Sequence, residues 1–126
     1  MTKAGAKTRD FQWYSHKNGA MVRVHSKHSR DYGKYLEAQE SVQSYEAGRA
    51  LELERIPHIS PTGIRKSYLQ SEWCSDFYIS FSDGHAGVRE LVAATTLQQQ
   101  ATVEKLELSR RYWVGMDITD WKVVMV

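Results

Sequence analysis

At 126 residues, with 41% hydrophobic and 25% charged side chains, the chain has the size of one domain built on one core. No apolar stretch is long enough to span a bilayer, residues 1–7 lack the apolar run of a signal peptide, and the single cysteine, Cys74, rules out an intrachain disulfide framework, so an intracellular compartment is expected. The net charge of +2 is unevenly spread: residues 1–30 carry seven Lys or Arg against Asp10 alone, and the rest carries ten against fourteen acids.

Residues 1–25 read as a basic N-terminal arm, and residues 26–126 as the folded domain. Lys3, Lys7, Arg9, Lys17, Arg23 and Lys27 can neutralise phosphates, and Trp13 among them can stack on a base, which makes these seven the candidate nucleic-acid contacts. The same composition fits a solubilising tail or a segment that docks on a protein partner, with Phe11, Trp13 and Tyr14 as anchors. Both readings stay open.

A helix is predicted from Ser26 to Ser29 onward, with Tyr32, Tyr35, Leu36 and Gln39 along one face and Gly33 as its weak point. Val42 to Glu46 is expected to be extended, Gly48 to interrupt the pattern, and Leu51, Leu53 and Arg55 to form a second extended stretch before Pro57. Residues 58–63 are rich in turn formers. Phe77, Ile79 and Phe81 alternate with polar neighbours, Asp83-Gly84 signals a turn, and Val88 to Thr95 supplies a second apolar run, so the two are expected to pair as a hairpin. Thr102 is expected to cap a helix with Val103, Leu106, Arg110 and Trp113 on one stripe, ending at Gly115. Trp121 to Val126 reads as a terminal strand. The order is helix, three strands, helix, strand. It predicts an α/β (α+β) fold with a mixed sheet flanked by helices, the last strand parallel to an earlier one.

Metal-dependent DNA cleavage needs carboxylates to hold the ion and often a lysine near the attacking water. Ser75-Asp76-Phe77 opens one strand of the expected hairpin, and an acid and a lysine two apart on the partner strand would face the same way. Three further stretches carry a specific resemblance. They are Ser29-Arg30-Asp31-Tyr32 through Leu36-Glu37 to Val42-Gln43-Ser44-Tyr45-Glu46; Ser75-Asp76-Phe77 with Asp83-Gly84; and Lys105-Leu106-Glu107-Leu108-Ser109-Arg110-Arg111-Tyr112-Trp113 followed by Asp120-Trp121-Lys122-Val123-Val124. In this order they resemble the nuclease domain of TnsA-type transposon endonucleases, within the restriction-endonuclease-like PD-(D/E)xK superfamily. The resemblance runs from about Ser26 to the end. The family's second domain, which contacts DNA and a transposition regulator, has no counterpart in these residues.

That resemblance implies a magnesium or manganese site and its helix glutamate, strand aspartate, strand acid and lysine. By the alignment these fall on Ser29, Asp76, Ala93 and Thr95. Only Asp76 retains the chemistry, and it is the one candidate metal ligand; Glu90 lies an odd number of residues from Ala93 and is expected to face away. Loss at three positions implies a protein without cofactor that acts by binding DNA, with transposition or phage assembly proteins as partners and no membrane. Two alternatives remain. One is a phage head-completion protein at the head-tail junction of the virion, rather than a cytoplasmic protein of the bacterial host. The other is an active endonuclease whose ligands come from another subunit or from Glu37 or Glu90. For Asp76 itself, a strand cap held by backbone amides is the plainer reading. His25 with His28, Cys74, and the Arg110-Arg111 pair have bland readings as surface, half-buried thiol and helix-face residues.

Overall fold

The computed structural model describes residues 1–5 and 10–126. The elements are β1 (Thr2–Lys3), β2 (Phe11–Ser15), β3 (Ala20–Val24), α1 (Lys27–Ala38), β4 (Val42–Ala50), a 3-10 segment (Leu53–His58), α2 (Lys66–Leu69), β5 (Trp73–Phe81), β6 (Ala86–Val92), a second 3-10 turn (Ala94–Thr96), α3 (Gln100–Val114) and β7 (Asp120–Met125). The fold is mixed α+β. Its sheet runs β5-β6-β7, with β4 and β1 both on β5; β4, β5 and β6 are antiparallel neighbours and β7 is parallel to β6. The expected hairpin forms, with Phe77 opposite Arg89 and Tyr78 opposite Val88. The connection over residues 82–85 closes through Gly84 at φ +94°, a conformation that glycine adopts without steric cost.

Trp73, Ser75, Phe77 and Ile79 of β5 are buried, but they do not all share a face. Trp73 packs with Leu108 and Tyr112, and Ser75 accepts a hydrogen bond from the Trp113 indole of α3. Phe77 and Ile79 instead meet Leu36, Tyr45 and Val22 on the α1 side. The alternation therefore breaks at Asp76. Opposite that break, between the Ala47–Phe77 and Arg49–Ser75 pairs, β4 contains Gly48 at φ +71°. Gly48 kinks a continuous strand, as a bulge does, rather than separating two. The stretch from Leu53 to Arg55 expected to be extended is 3-10 helix, with Ile56 buried and Pro57 inside it.

Ser26 caps α1, its hydroxyl accepting from the Ser29 amide. Gly33 lies in that helix because Trp13 of β2 packs on it: a Cβ there would sit 2.6 Å from two atoms of the indole. Residues 11–24 are thus part of the fold and not an arm. The β2–β3 hairpin buries Val22 and Val24 in the α1-side core, and Ser15 is fully buried. Glu37 fixes it there, its carboxylate accepting from the Ser15 hydroxyl (2.6 Å), the Tyr45 hydroxyl (2.6 Å) and the Lys17 amide (3.2 Å). These donors hold the Glu37 pKa below its ordinary value, against a burial effect that would raise it.

The expected stripe on α3 is out of phase. Its inward residues are Glu104, Leu108, Ser109, Tyr112 and Trp113, whereas Val103 is 46% exposed. The helix starts earlier than Thr102, with Gln99 at the cap position and no side-chain cap. Glu104 is turned inward because Arg65 meets it, the Arg65 guanidinium and backbone N–H both donating to its carboxylate. Among the described residues, no helix is long and apolar enough to cross a membrane.

Candidate functional site

β5 and β6 pair from Phe77–Arg89 to Ser80–Ala86 and part beyond Phe77. Two carboxylates stand at this fork. The Asp76 amide donates to Glu90 Oε1 (2.9 Å), and the Leu91 amide donates to Asp76 Oδ2 (2.7 Å). β1 takes up the edge of β5 that β6 leaves: Thr2 pairs with Cys74, whose other edge is already held by Ala50 of β4. This seats the Met1 ammonium 2.8 Å from Asp76 Oδ2 and 2.8 Å from Glu90 Oε1. The Thr2 hydroxyl donates to Asp76 Oδ1 (2.9 Å), and the Ser109 hydroxyl donates to Glu90 Oε2. Every carboxylate oxygen of the pair accepts a hydrogen bond.

The side chains here are nearly closed to solvent, that of Met1 1% exposed, that of Asp76 9% and that of Glu90 0%. Burial alone pulls the ammonium's pKa down, but Glu90 and Asp76 outweigh it and the net shift is upward. Beside them the Cys74 thiol is pushed up by burial and then by the same carboxylates, which leaves it protonated rather than nucleophilic.

The positions assigned by alignment separate here. Ser29 and Asp76 line one cleft of about 290 Å³ together with Arg23, His25 and Cys74. Ala93 and Thr95 belong elsewhere: β6 ends at Val92, Ala93 caps a 3-10 turn, and Thr95 lies within that turn. The acid beside Asp76 on β6 is Glu90, which faces the fork, against the expectation that it faces away. The position two residues on from Glu90, on the same side of β6, is Val92. Glu37, the other acid considered as a ligand, is committed to holding the β2–β3 hairpin.

Of the nucleic-acid candidates, Lys7 and Arg9 lie outside the described residues. Trp13 is not available for stacking on a base, because its ring covers Gly33 and its indole N–H donates to the Tyr45 hydroxyl at 3.1 Å. Lys17 donates its ammonium to the Val42 carbonyl at 2.7 Å. Lys3, Arg23 and Lys27 are exposed, and Lys3 and Arg23 line the cleft that contains Asp76. His25 pairs with Asp10 and does not meet a metal-ligand set with His28. Arg110 is exposed and pairs with Glu107, whereas Arg111 donates to the Ser60 and Thr62 carbonyls and secures the 58–64 loop.

The magnesium or manganese implied by the resemblance does not fit this donor set. Among the described residues, no group of three or more His, Cys, Asp or Glu side chains is placed to hold a metal ion. Two of the four carboxylate oxygens at the fork are taken by backbone amides, and the same two oxygens also meet an ammonium. No protein-family model matches the chain, and no curated protein matches it in sequence.

Proposed function

We propose that the chain is a DNA-associated protein with a restriction-endonuclease-like fold that acts by binding or assembly rather than by cleavage, within a mobile-element or phage complex. The observation that carries this reading is the fork itself. On this reading the acid pair, Asp76 and Glu90, corresponds to the metal ligands of such a fold and Val92 to its lysine, and the pair is saturated by protein donors. The order of elements supports the fold assignment: α1 precedes three antiparallel strands, and α3 carries the chain to β7, parallel to β6. DNA as the partner rests on exposed Lys3, Arg23 and Lys27 near the cleft, with their charge opposed locally by few acids.

The test pairs two assays on the full chain. Supercoiled plasmid incubated with magnesium or manganese is expected to stay intact, while anisotropy with a labelled duplex is expected to show binding that weakens steeply with salt. Charge removal at Arg23 and Lys27 lowers that affinity. Nicking that vanishes in Asp76→Ala overturns the non-cleaving reading, and absence of binding at low salt overturns the DNA reading. The adjacency of Asp76 and Glu90 favours one second reading, a metal-dependent endonuclease, and the plasmid assay decides between the two.

A further inference from the structure

The β2–β3 hairpin is a two-stranded sheet of its own, set apart from the five-stranded sheet, and the fold uses only one of its faces. Trp13 lies on Gly33, Val22 and Val24 enter the core, and Ser15 is held by Glu37. Alternation along each strand turns Gln12, Tyr14, Met21 and Arg23 the other way, and all four are exposed. We propose that this outward face is a ribbon that lies in the major groove of duplex DNA. The inference rests on the DNA reading above and names the element that carries it.

Charge selects the partner. Residues 11–30 contain four Lys or Arg and no Asp or Glu. The acids that border this segment are engaged: Asp10 with His25, Asp31 with Arg30, and Glu37 beneath the ribbon with Ser15 and Tyr45. Arg23 and Lys27 are exposed and make no ion pair among the described residues. From residue 31 onward ten Lys or Arg stand against fourteen acids. A polyanion therefore meets least repulsion at the ribbon.

Shape and spacing select the groove. The major groove of B-form DNA is about 12 Å wide and admits a two-stranded ribbon, whereas the deep, narrow major groove of duplex RNA does not. Gln12 stands opposite Arg23, and Tyr14 opposite Met21. These two pairs are separated along the strands by about 7 Å, close to two base steps of about 3.4 Å. Their chemistry suits base edges. A guanidinium can donate twice to guanine, a carboxamide can pair with adenine, and Tyr14 and Met21, 53% and 58% exposed, offer apolar surface to thymine methyl groups. Because α1 begins three residues after β3 ends, Lys27 and His28 stand at the Arg23 end, placed for the phosphates that flank the groove. The ribbon is also held rigid at its turn, where the Asn18 carboxamide donates to the Tyr45 carbonyl (2.8 Å) and accepts from the Tyr45 amide (2.9 Å). Binding need not order it.

The test is anisotropy of the full chain with a labelled duplex of mixed sequence, about two helical turns long, made once as DNA and once as RNA. The DNA duplex is expected to bind at least about tenfold more tightly than the RNA duplex. Methyl green, which occupies the major groove, is expected to displace the protein, and netropsin, which occupies the minor groove, is not. Gln12→Ala with Tyr14→Ala leaves the charge unchanged and is expected to weaken binding at least about fivefold without altering its salt dependence. Lys27→Ala is expected to flatten the slope of log affinity against log salt by about one. Only exposed side chains change, so thermal unfolding of these variants is expected to match that of the native chain. Absence of binding to either duplex at low salt overturns the DNA reading and this inference with it, and leaves the face to a protein partner. DNA binding that netropsin displaces and methyl green does not, that the RNA duplex matches, or that the neutral double variant retains in full overturns the groove assignment and leaves the DNA reading standing. The first two of these outcomes need no variant.

Discussion

Gly33 and Trp13 offer a decisive check on whether residues 11–24 belong to the folded body. By helix propensity alone, Gly33→Ala in the middle of α1 stabilises by about 0.8–1 kcal/mol. The structure reverses this, because the added Cβ lies 2.6 Å from both Cη2 and Cζ2 of Trp13. Overpacking of this kind costs roughly 1–3 kcal/mol. The net effect of Gly33→Ala in the native background is thus from about neutral to 2 kcal/mol destabilising, a fall in Tm of up to about 10 °C. In a Trp13→Phe background the two clashing ring atoms are gone, and the same Gly33→Ala change is expected to stabilise. Trp13→Phe also removes the indole hydrogen bond to Tyr45, but that loss is common to both arms of the cycle and cancels. Urea unfolding of the four proteins at neutral pH gives the coupling energy, expected near 1–3 kcal/mol. A coupling below about 0.5 kcal/mol, with Gly33→Ala stabilising in both backgrounds, refutes the docking of the hairpin on α1 and returns Trp13 to a mobile arm, where stacking on a base is open to it.

Two pH predictions follow from ion pairs at opposite ends of the titration range. Glu104 has its pKa lowered from 4.5 to about 2 by the side-chain and then the backbone donors of Arg65. A depressed carboxyl stabilises the fold above its unfolded pKa and loses that contribution as pH falls from about 4.5 to about 2; in acid unfolding curves the gap between the native chain and Glu104→Gln is expected to close over that window, and a constant gap refutes the pairing. His85 has its pKa raised above 6.5, first by Asp120 and then by Asp83. A raised base stabilises fully below the unfolded pKa and loses its contribution as pH rises through the folded one. Stability measured from pH 5 to 9 should therefore decline on leaving pH 6.5 in the native chain and not in His85→Gln, and equal declines in both remove His85 from the account.

How much of this was legible in sequence depended on whether the deciding interaction was local. The helix from near Ser26 and the Phe77–Val88 hairpin are readable because a helix face repeats within a few residues and a hairpin needs only its turn. The stripe on α3 was misread because Glu104 counts as polar until Arg65, thirty-nine residues away in sequence, is known to meet it. The β2–β3 hairpin is legible too, against the expectation of an arm over residues 1–25. Phe11, Trp13 and Ser15 alternate, Val22 and Val24 alternate, and Asn18-Gly19 between them is a strong turn signal, yet the charge excess suggested an arm. Glu90 is the most instructive case. Counting back from Ala93 turns Glu90 away, but the strand never reaches Ala93. Counting instead from the Asp83-Gly84 turn gives the pairs Ser80–Ala86, Ile79–Gly87, Tyr78–Val88 and Phe77–Arg89, and one further step sets Glu90 opposite Asp76. Register propagates from a turn, where backbone geometry fixes it, and not from a family position assigned by alignment. What no count could supply was the third member of the fork. The Met1 ammonium lies seventy-five residues from Asp76 in sequence, just ahead of a two-residue strand with no hydrophobic pattern, and only the vacated edge of β5 reveals why it is there.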